Sequence, residues 1–350
     1  MTAPPHVGVA LDGYGWDPHA WRRTPELPPV TSGRYWADLA ATAERGLLDF
    51  LTIDDSLAPT RVARADAVMV AARIAPATRH IGLIPVATVT HTEPFHVSKA
   101  IATLDHVSRG RAGWQPRVSA TASEAALFGR RTVDRDDLEA LFDEAADVVE
   151  VVRRLWDSWE DDAEIRDVTT GRFVDRDKLH YIDFTGRYFS VKGPAITPRP
   201  PQGQPVVAAL AHAPRIYEFA AHTSDLVFVT PADEASLKAI LRQVGAGLQV
   251  YVDLVVALSG QTDFASDAMV FGGDADDLVD LLLHWQQLGI DGVRLRPAVN
   301  ATDLRAIVEE VVPRLQRAGR FRTAYRDGET LRARLGLPVA VNRYLGVKQP

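Results

Sequence analysis

The chain has 350 residues, of which 46% are hydrophobic and 24% charged, so it can bury a large core and is neither disordered nor collagen-like. It contains no cysteine, which excludes disulfides, thiolate metal sites and cysteine nucleophiles. The net charge of −7 argues against a general nucleic-acid-binding surface. Apolar runs fall short of the ~18 residues of a membrane span, and residues 1–6 do not resemble a signal peptide. We therefore expect a soluble cytoplasmic protein without nucleic-acid or membrane partners.

Short β-branched runs alternate with longer amphipathic runs along most of the chain. The predicted strands are 7–11, 50–53, 81–87, 112–118, 206–210, 226–229, 250–258 and 292–295. Each is followed by a run whose apolar residues have helical spacing: 36–47, 62–74, 94–107, 138–155, 214–223, 233–244, 278–288 and 304–315. Eight such units predict an α/β protein with a closed (β/α)8 TIM barrel. An open sheet of six or seven strands is the alternative.

Two segments break this alternation. Residues 157–204 are rich in Asp, Gly, Arg and Pro, and they form a long insertion between the fourth helix and the fifth strand. Aromatic residues at Tyr181, Phe184, Tyr188 and Phe189 give the insertion apolar groups to bury. Residues 320–350 read as a polar, loop-like tail on the surface. We interpret residues 1–350 as one barrel domain with this insertion and tail.

A barrel of this kind has its active site at the carboxyl ends of its strands, so polar residues that follow the strands are the candidates for function. These are Asp12, His19, Asp54, Asp55, Thr88, His91, Gln115, Arg117, Ser119, His212, Arg215, Arg294 and Arg296. Large aromatic residues crowd the N-terminal region, at Trp16, Trp21 and Trp36, and Trp114 lies at the fourth strand end. They suit a flat or apolar ligand.

Other site types are weaker interpretations. His91, Glu93 and His96 with Asp55 would suit a metal-dependent hydrolase, but His96 lies early in a predicted helix, and we expect no metal. The glycines of Gly13–Gly15 suggest a dinucleotide turn, yet Trp16-Asp17-Pro18 follows where a helix should begin. The motifs of P-loop enzymes, α/β-hydrolase esterases and zinc proteases do not occur.

Several ordered segments resemble the bacterial luciferase-like flavin monooxygenases, and within them the nitrilotriacetate and dibenzothiophene-sulfone monooxygenase group. The segments are residues 40–56, 93–114, 155–159, 200–206 and 330–338, which include Ala-Glu-Arg-Gly-Leu, Thr-Leu-Asp-His-Val-Ser-Arg-Gly-Arg, Leu-Trp-Asp-Ser-Trp and Pro-Pro-Gln-Gly-Gln-Pro-Val. The resemblance covers about residues 21–337 in chain order.

This resemblance implies a (β/α)8 barrel enzyme that oxidises a small organic molecule with oxygen and reduced FMN. It also implies a separate flavin reductase as a transient partner, and a homo-oligomer. The flavin performs the demanding chemistry, while the protein supplies position and electrostatics. This agrees with the lack of a recognisable nucleophile or metal motif in the residues.

The family pattern can be carried over to individual residues. It implies that Asp55, Thr88, Gln115 and Ser119 line the cofactor site and that His91 is a polar residue in the loop after the third strand. From their positions after the strands, we add His212, Ala213 and Arg215 to the cofactor site and expect His91 and His19 to be catalytic and Trp21 and Trp114 to lie on the substrate side.

The chain departs from the family pattern after the fifth strand. The family has a serine and a glycine there that hold the FMN phosphate, whereas this chain has Ala213 and Ile216. An Arg-Tyr pair of the fourth helix is replaced by Leu141-Phe142. We expect altered phosphate binding, which leaves a deazaflavin-dependent oxidoreductase and a catalytically silent homologue as alternatives. The residues do not identify the organic substrate.

Overall fold

A computed structural model describes residues 4–58, 63–133, 137–245, 247–258, 260 and 263–346. Eight parallel strands within these residues close into a barrel, since each strand pairs with the next and the eighth with the first. In chain order they are His6–Leu11, Phe50–Ile53, Gly82–Thr88, Gly113–Arg117, Val206–Ala211, Leu226–Val229, Gln249–Ala257 and Gly292–Pro297. The predicted (β/α)8 TIM barrel is therefore confirmed, and the open sheet is wrong.

Helices surround this barrel. They are α1 (Gly33–Arg45), α2 (Ala67–Ile74), α3 (Pro94–Ser108), α4 (Ala122–Phe128), α5 (Leu138–Asp157), α6 (Pro214–Thr223), α7 (Glu234–Val244), α8 (Ala275–Gln287), α9 (Asn300–Ala306), α10 (Val312–Arg317) and α11 (Leu331–Arg334). A π-helical turn, Ile307–Val311, joins α9 to α10. The predicted start of the second helix at Val62 lies outside the described residues. No helix of the described residues is long and apolar enough to cross a membrane.

The period of two along each strand divides its side chains between the barrel interior and the helices. On the fourth strand, Gln115 points inward and contacts the eighth strand. Trp114 points outward, is fully buried, and packs edge-on against Trp156 of α5. The prediction that Trp114 lies on the substrate side is therefore wrong, because strand alternation places it between the barrel and its helices.

The insertion packs beside α5 in two short hairpins. Their strands are Glu164–Asp167 with Arg172–Val174, and Phe184–Thr185 with Ser190–Val191. Phe184 and Phe189 pack against a buried cluster of α5, as expected. Tyr181, in contrast, is about half exposed.

The tail does more than cover the surface. Leu331 and Leu335, in and just after α11, are buried among the apolar side chains that fill the amino-terminal end of the barrel. A Cβ atom on Gly82 would lie only 2.5 Å from Leu331 Cδ1, so the tail fits tightly there. The prediction of a loop-like surface tail is corrected, since this part of the tail closes the bottom of the barrel.

Candidate active site

Charged side chains converge at the carboxyl ends of the first, second and fourth strands. Arg64 Nη2 lies 3.1 Å from Asp12 Oδ1, and Arg64 Nη1 lies 3.1 Å from Asp54 Oδ2. Arg117 Nη1 is 3.2 Å from Asp54 Oδ1. Burial, followed by the neighbouring Asp54, raises the pKa of Asp12 to about 6, although Arg64 opposes the shift. The Asp12 carboxyl therefore changes charge near neutral pH.

A second charged network lies deeper in the barrel. The fully buried Asp253 carboxylate accepts hydrogen bonds from Arg294 Nε at 2.6 Å and from Arg296. Arg294 Nη1 also donates to Gln115 Oε1 at 2.8 Å. The Arg296 guanidinium carbon lies 4.2 Å from the centre of the Trp16 ring. These paired charges form a buried polar layer below the open carboxyl end of the barrel, which we call its mouth. Each buried cation in this layer has a carboxylate or amide oxygen as partner.

An aromatic cavity of about 280 Å³ lies beside the first strand. Trp16, Trp21 and Trp36 contribute its apolar surface, and Asp12, Asp54 and Arg64 contribute its charged surface. We call this space the tryptophan cavity. Its combination of flat apolar walls and a few polar groups is typical of a small-molecule site.

A second cavity, of about 170 Å³, lies on the other side of the mouth and is called the His91 cavity. Its lining residues are Thr90, His91, Thr92, Glu93, Pro94, Arg130, Arg131, Glu144, Val148, Tyr188 and Phe189. The His91 ring stacks on Phe128 with 4.8 Å between ring centres. Burial and the nearby Arg131 lower the pKa of His91. His91 is therefore a neutral, buried imidazole at physiological pH.

Three of the predicted cofactor residues make structural contacts in the described chain. The Asp55 carboxylate accepts from the backbone N–H of Ser56 at 2.7 Å and of Ala67, at the start of α2, at 3.0 Å. Ser119 Oγ donates to Glu124 Oε2 at 2.7 Å. Gln115 is held by Arg294, as described above. We call Asp12, Asp54, Arg64 and Arg117, at the open carboxyl end of the barrel, the mouth network. Asp55 lies nearest to it, since Arg117 donates to the backbone carbonyl of Asp55 at 2.8 Å.

The remaining predicted cofactor residues lie at the third and fifth strands. Thr88 ends the third strand and is half buried. His212 Nδ1 lies 2.8 Å from Thr230 Oγ1, which joins the ends of the fifth and sixth strands. Ala213 immediately precedes α6 and has no side-chain group to cap it. Arg215 pairs with Asp143 of α5, and Arg215 Nη2 lies 2.5 Å from Asp143 Oδ1.

The two predicted catalytic histidines do not line a common cavity: His91 lines the His91 cavity, whereas His19 lines neither the tryptophan cavity nor the His91 cavity. The His19 side chain is 59% exposed, with Nδ1 3.6 Å from Asp17 Oδ1. Trp21 lines the tryptophan cavity, as its predicted substrate-side role requires. No group of three or more His, Asp or Glu side chains within the described ranges is arranged to hold a metal ion.

Two residues of the candidate site, Asp253 and Arg64, were missed by the sequence interpretation. Asp253 interrupts the apolar run of the seventh strand, and an isolated acid in such a run is a signal for an inward-pointing charge. Arg64 lies in the loop after the second strand, where its sequence context carries no comparable signal. Its role depends on Asp12 and Asp54 being brought together by the fold.

The described residues offer a flavin an unpaired polar atom at one place in the mouth of the barrel but fit its phosphate poorly at the start of α6. The buried Nε2 of His91 has no hydrogen-bond partner among the described residues and could bind a polar group of the flavin. At the start of α6, by contrast, Pro214 lacks an N–H, and the N–H groups of Ile216 and Tyr217 both donate to the Ala213 carbonyl.

The surroundings of this helix start also disfavour a phosphate. Phe142 packs against Phe219 with 5.4 Å between ring centres, in the space between α5 and α6. Arg215 faces two carboxylates, Asp143 and Glu218. The start of α6 therefore fits the phosphate of FMN poorly, because Pro214 has no N–H, the N–H groups of Ile216 and Tyr217 already donate to Ala213, and Arg215 faces two carboxylates.

The barrel and the polar groups at its carboxyl end define an enzyme-like (β/α)8 architecture. Residues 15–251 match the model of the luciferase-like monooxygenase family, and the chain belongs to that family. It is 30% identical to N-acetyl-S-(2-succino)cysteine monooxygenase of Bacillus subtilis, over 97% of this chain and 98% of that protein. This alignment extends over 435 positions whereas the chain has 350 residues, so the relative has segments without a counterpart here.

Two further similarities support this assignment. The chain is 37% identical to nitrilotriacetate monooxygenase component A of Aminobacter aminovorans, over 66% of this chain and 55% of that protein. Among solved structures, a long-chain alkane monooxygenase superposes with a TM-score of 0.86 over 96% of both chains at 23% identity. The resemblance stated from the sequence is thus confirmed at the level of family and fold.

Proposed function

We propose that the protein is a flavin-dependent monooxygenase that uses reduced FMN and oxygen to oxidise a small organic substrate. The observation that supports this most directly is the tryptophan cavity, which lies against ionisable groups at the active end of a luciferase-like barrel. The relative from Aminobacter aminovorans is named as one component of a monooxygenase, which supports a separate reductase as the source of reduced flavin.

Bound reduced flavin would supply the electrons that activate oxygen. The residues of the chain would bind and orient the reactants. Trp16, Trp21 and Trp36 exclude water from an apolar substrate, and Asp12 holds or releases a proton at its carboxylate near neutral pH. We place Asp55, Thr88 and His212 on the flavin side, and His19 and His91 as further candidate proton donors or acceptors.

The start of α6 favours a second candidate. A deazaflavin-dependent oxidoreductase on the same fold would use a different carrier, and the poor fit of this helix start to the FMN phosphate motivates that alternative. An F420-dependent secondary alcohol dehydrogenase shares the fold, with a TM-score of 0.64 at 15% identity. Parallel titration with FMN and with the deazaflavin separates the two candidates.

An anaerobic titration with reduced FMN, followed by exposure to air, tests the proposal. We expect saturable quenching of tryptophan fluorescence as reduced FMN binds, and a rate of oxidation of the bound flavin in air that differs from the rate for free reduced FMN. Asp55→Ala should weaken the binding. Because Asp55 also caps α2, the matched control is Asp66→Ala, which removes a cap of the same helix, Asp66 Oδ1 to Met69 N at 2.8 Å. No quenching, together with flavin oxidation at the rate of free reduced FMN, would refute the proposal.

A further inference from the structure

The His91 cavity collects buried polar atoms that lack partners. His91 Nε2, Arg131 Nε and Tyr188 Oη are all buried and make no hydrogen bond within the described part of the chain. All three residues line the same cavity, although they come from the loop after the third strand, the segment before α5 and the insertion. Buried polar groups in proteins almost always have a partner, so three in one cavity indicate a ligand site.

The chemistry of these atoms defines the partner. Arg131 Nε–H can only donate, and the other two nitrogens of the guanidinium already donate to Glu144 Oε2 and to the Thr90 carbonyl, each at 2.7 Å. The Tyr188 hydroxyl and one tautomer of His91 also donate. Three donors on residues that line one cavity suit an acceptor with several lone pairs, which is the property of an oxyanion.

The charges around the cavity are compatible with an anion. Arg130 and Arg131 line it, and the guanidinium carbon of Arg187 lies 5.5 Å from the centre of the Tyr188 ring. The lining carboxylates are Glu144, whose Oε2 lies 2.7 Å from Arg131 Nη1, and Glu93, whose Oε1 lies 3.7 Å from Arg130 Nη1. The lining therefore carries two cations and two carboxylates, and binding of an anion depends on the unpaired donors rather than on a net charge.

We propose that the His91 cavity is an oxyanion-binding subsite for the phosphate or carboxylate group of a ligand. Its volume of about 170 Å³ is well above the ~10–15 Å³ that a single water molecule needs. Val148, Pro94 and Phe189 line it beside the polar groups, so the ligand has an apolar part next to its anionic group. The phosphate of FMN, which fits poorly at α6, and a carboxylate of the organic substrate are the two sources of such a group.

The test uses inorganic phosphate and succinate as probes of the protein. Calorimetry should detect binding of at least one probe, and NMR should show that the probe raises the pKa of His91, because a nearby anion stabilises the imidazolium. Tyr188→Phe, which removes one oxygen atom, should weaken probe binding about fivefold to tenfold. The matched control is Tyr181→Phe, in the same insertion but about half exposed, which should leave probe binding unchanged.

Comparison of FMN with riboflavin then identifies the source. If FMN binds about tenfold tighter than riboflavin and Tyr188→Phe removes that difference, the subsite holds the flavin phosphate. If the two flavins bind alike while succinate binds, the subsite holds a substrate carboxylate. Equal behaviour of the two tyrosine variants, or no response of His91 to either probe, would overturn the inference. If the protein does not bind flavin but still binds a probe, the proposed function is refuted and the oxyanion subsite is supported.

Discussion

The two ends of the barrel interior use the same strand alternation for opposite purposes. At the amino-terminal end, inward positions are apolar, with Phe50, Phe228 and Tyr251 packed around Leu331 of the tail. Towards the carboxyl ends, Asp253 follows Tyr251 by one inward position, and Asp54 follows Phe50 by two. We call the apolar amino-terminal end the lower layer and the charged carboxyl-terminal end the upper layer. The lower layer stabilises the barrel by packing, whereas the upper layer holds charges whose burial is unfavourable unless they are paired.

The largest expected effect comes from removing the shared carboxylate of the upper layer. Asp253→Ala would leave Arg294 and Arg296 as buried cations with one carboxylate fewer between them. We expect a loss of about 3–5 kcal/mol in the free energy of unfolding. Urea denaturation followed by circular dichroism measures it, and a loss below about 1 kcal/mol would contradict the idea that this pairing compensates the burial of the two cations.

Removing the side chain of Leu331, which the tail contributes to the lower layer, should reduce the free energy of unfolding somewhat less. Leu331→Ala leaves a cavity at the bottom of the barrel, and we expect a loss of about 3 kcal/mol without a change in ligand binding at the mouth. The matched control is Leu345→Ala, a tail leucine whose side chain is 65% exposed, which should change stability by less than about 0.5 kcal/mol. Similar losses in both variants would mean that the tail does not close the barrel in solution.

Local patterns predicted the barrel well because each strand and helix is encoded by its own residues. The sixth strand, Leu226–Val229, was predicted to the residue. The helix α4 was missed although Thr121 and Glu124 carry the spacing of a capping box, and Thr121 does cap it. Strand alternation alone would have placed Trp114 outside the barrel once Gln115 and Arg117 were assigned to the interior.

The candidate site was less predictable for a physical reason. The position of Asp12 after a strand is visible in the sequence, but its partner Arg64 comes from a loop that the sequence does not place. The His91 cavity combines segments near residues 91, 131 and 188, and the contact between them exists only after the insertion has packed on α5. Long-range pairing of this kind leaves no periodic signal in any one segment.

The pH dependence of the mouth network gives the last and smallest expected effect. The pKa of Asp12 is raised to about 6 from 3.8, so between these values the folded protein binds more protons than the unfolded chain. Stability therefore falls as pH rises through this window. A shift of this size corresponds to about 3 kcal/mol, which solvent reduces to about 2 kcal/mol because the Asp12 side chain is 26% exposed.

Asp12→Asn should remove this dependence, so the variant should gain stability relative to the wild type between pH 4 and pH 7. Urea denaturation of both proteins across that range measures the gain. Leu331→Ala, which changes the uncharged end of the barrel, should shift stability equally at every pH, and parallel profiles for Asp12→Asn and the wild type would show that the carboxyl titrates normally.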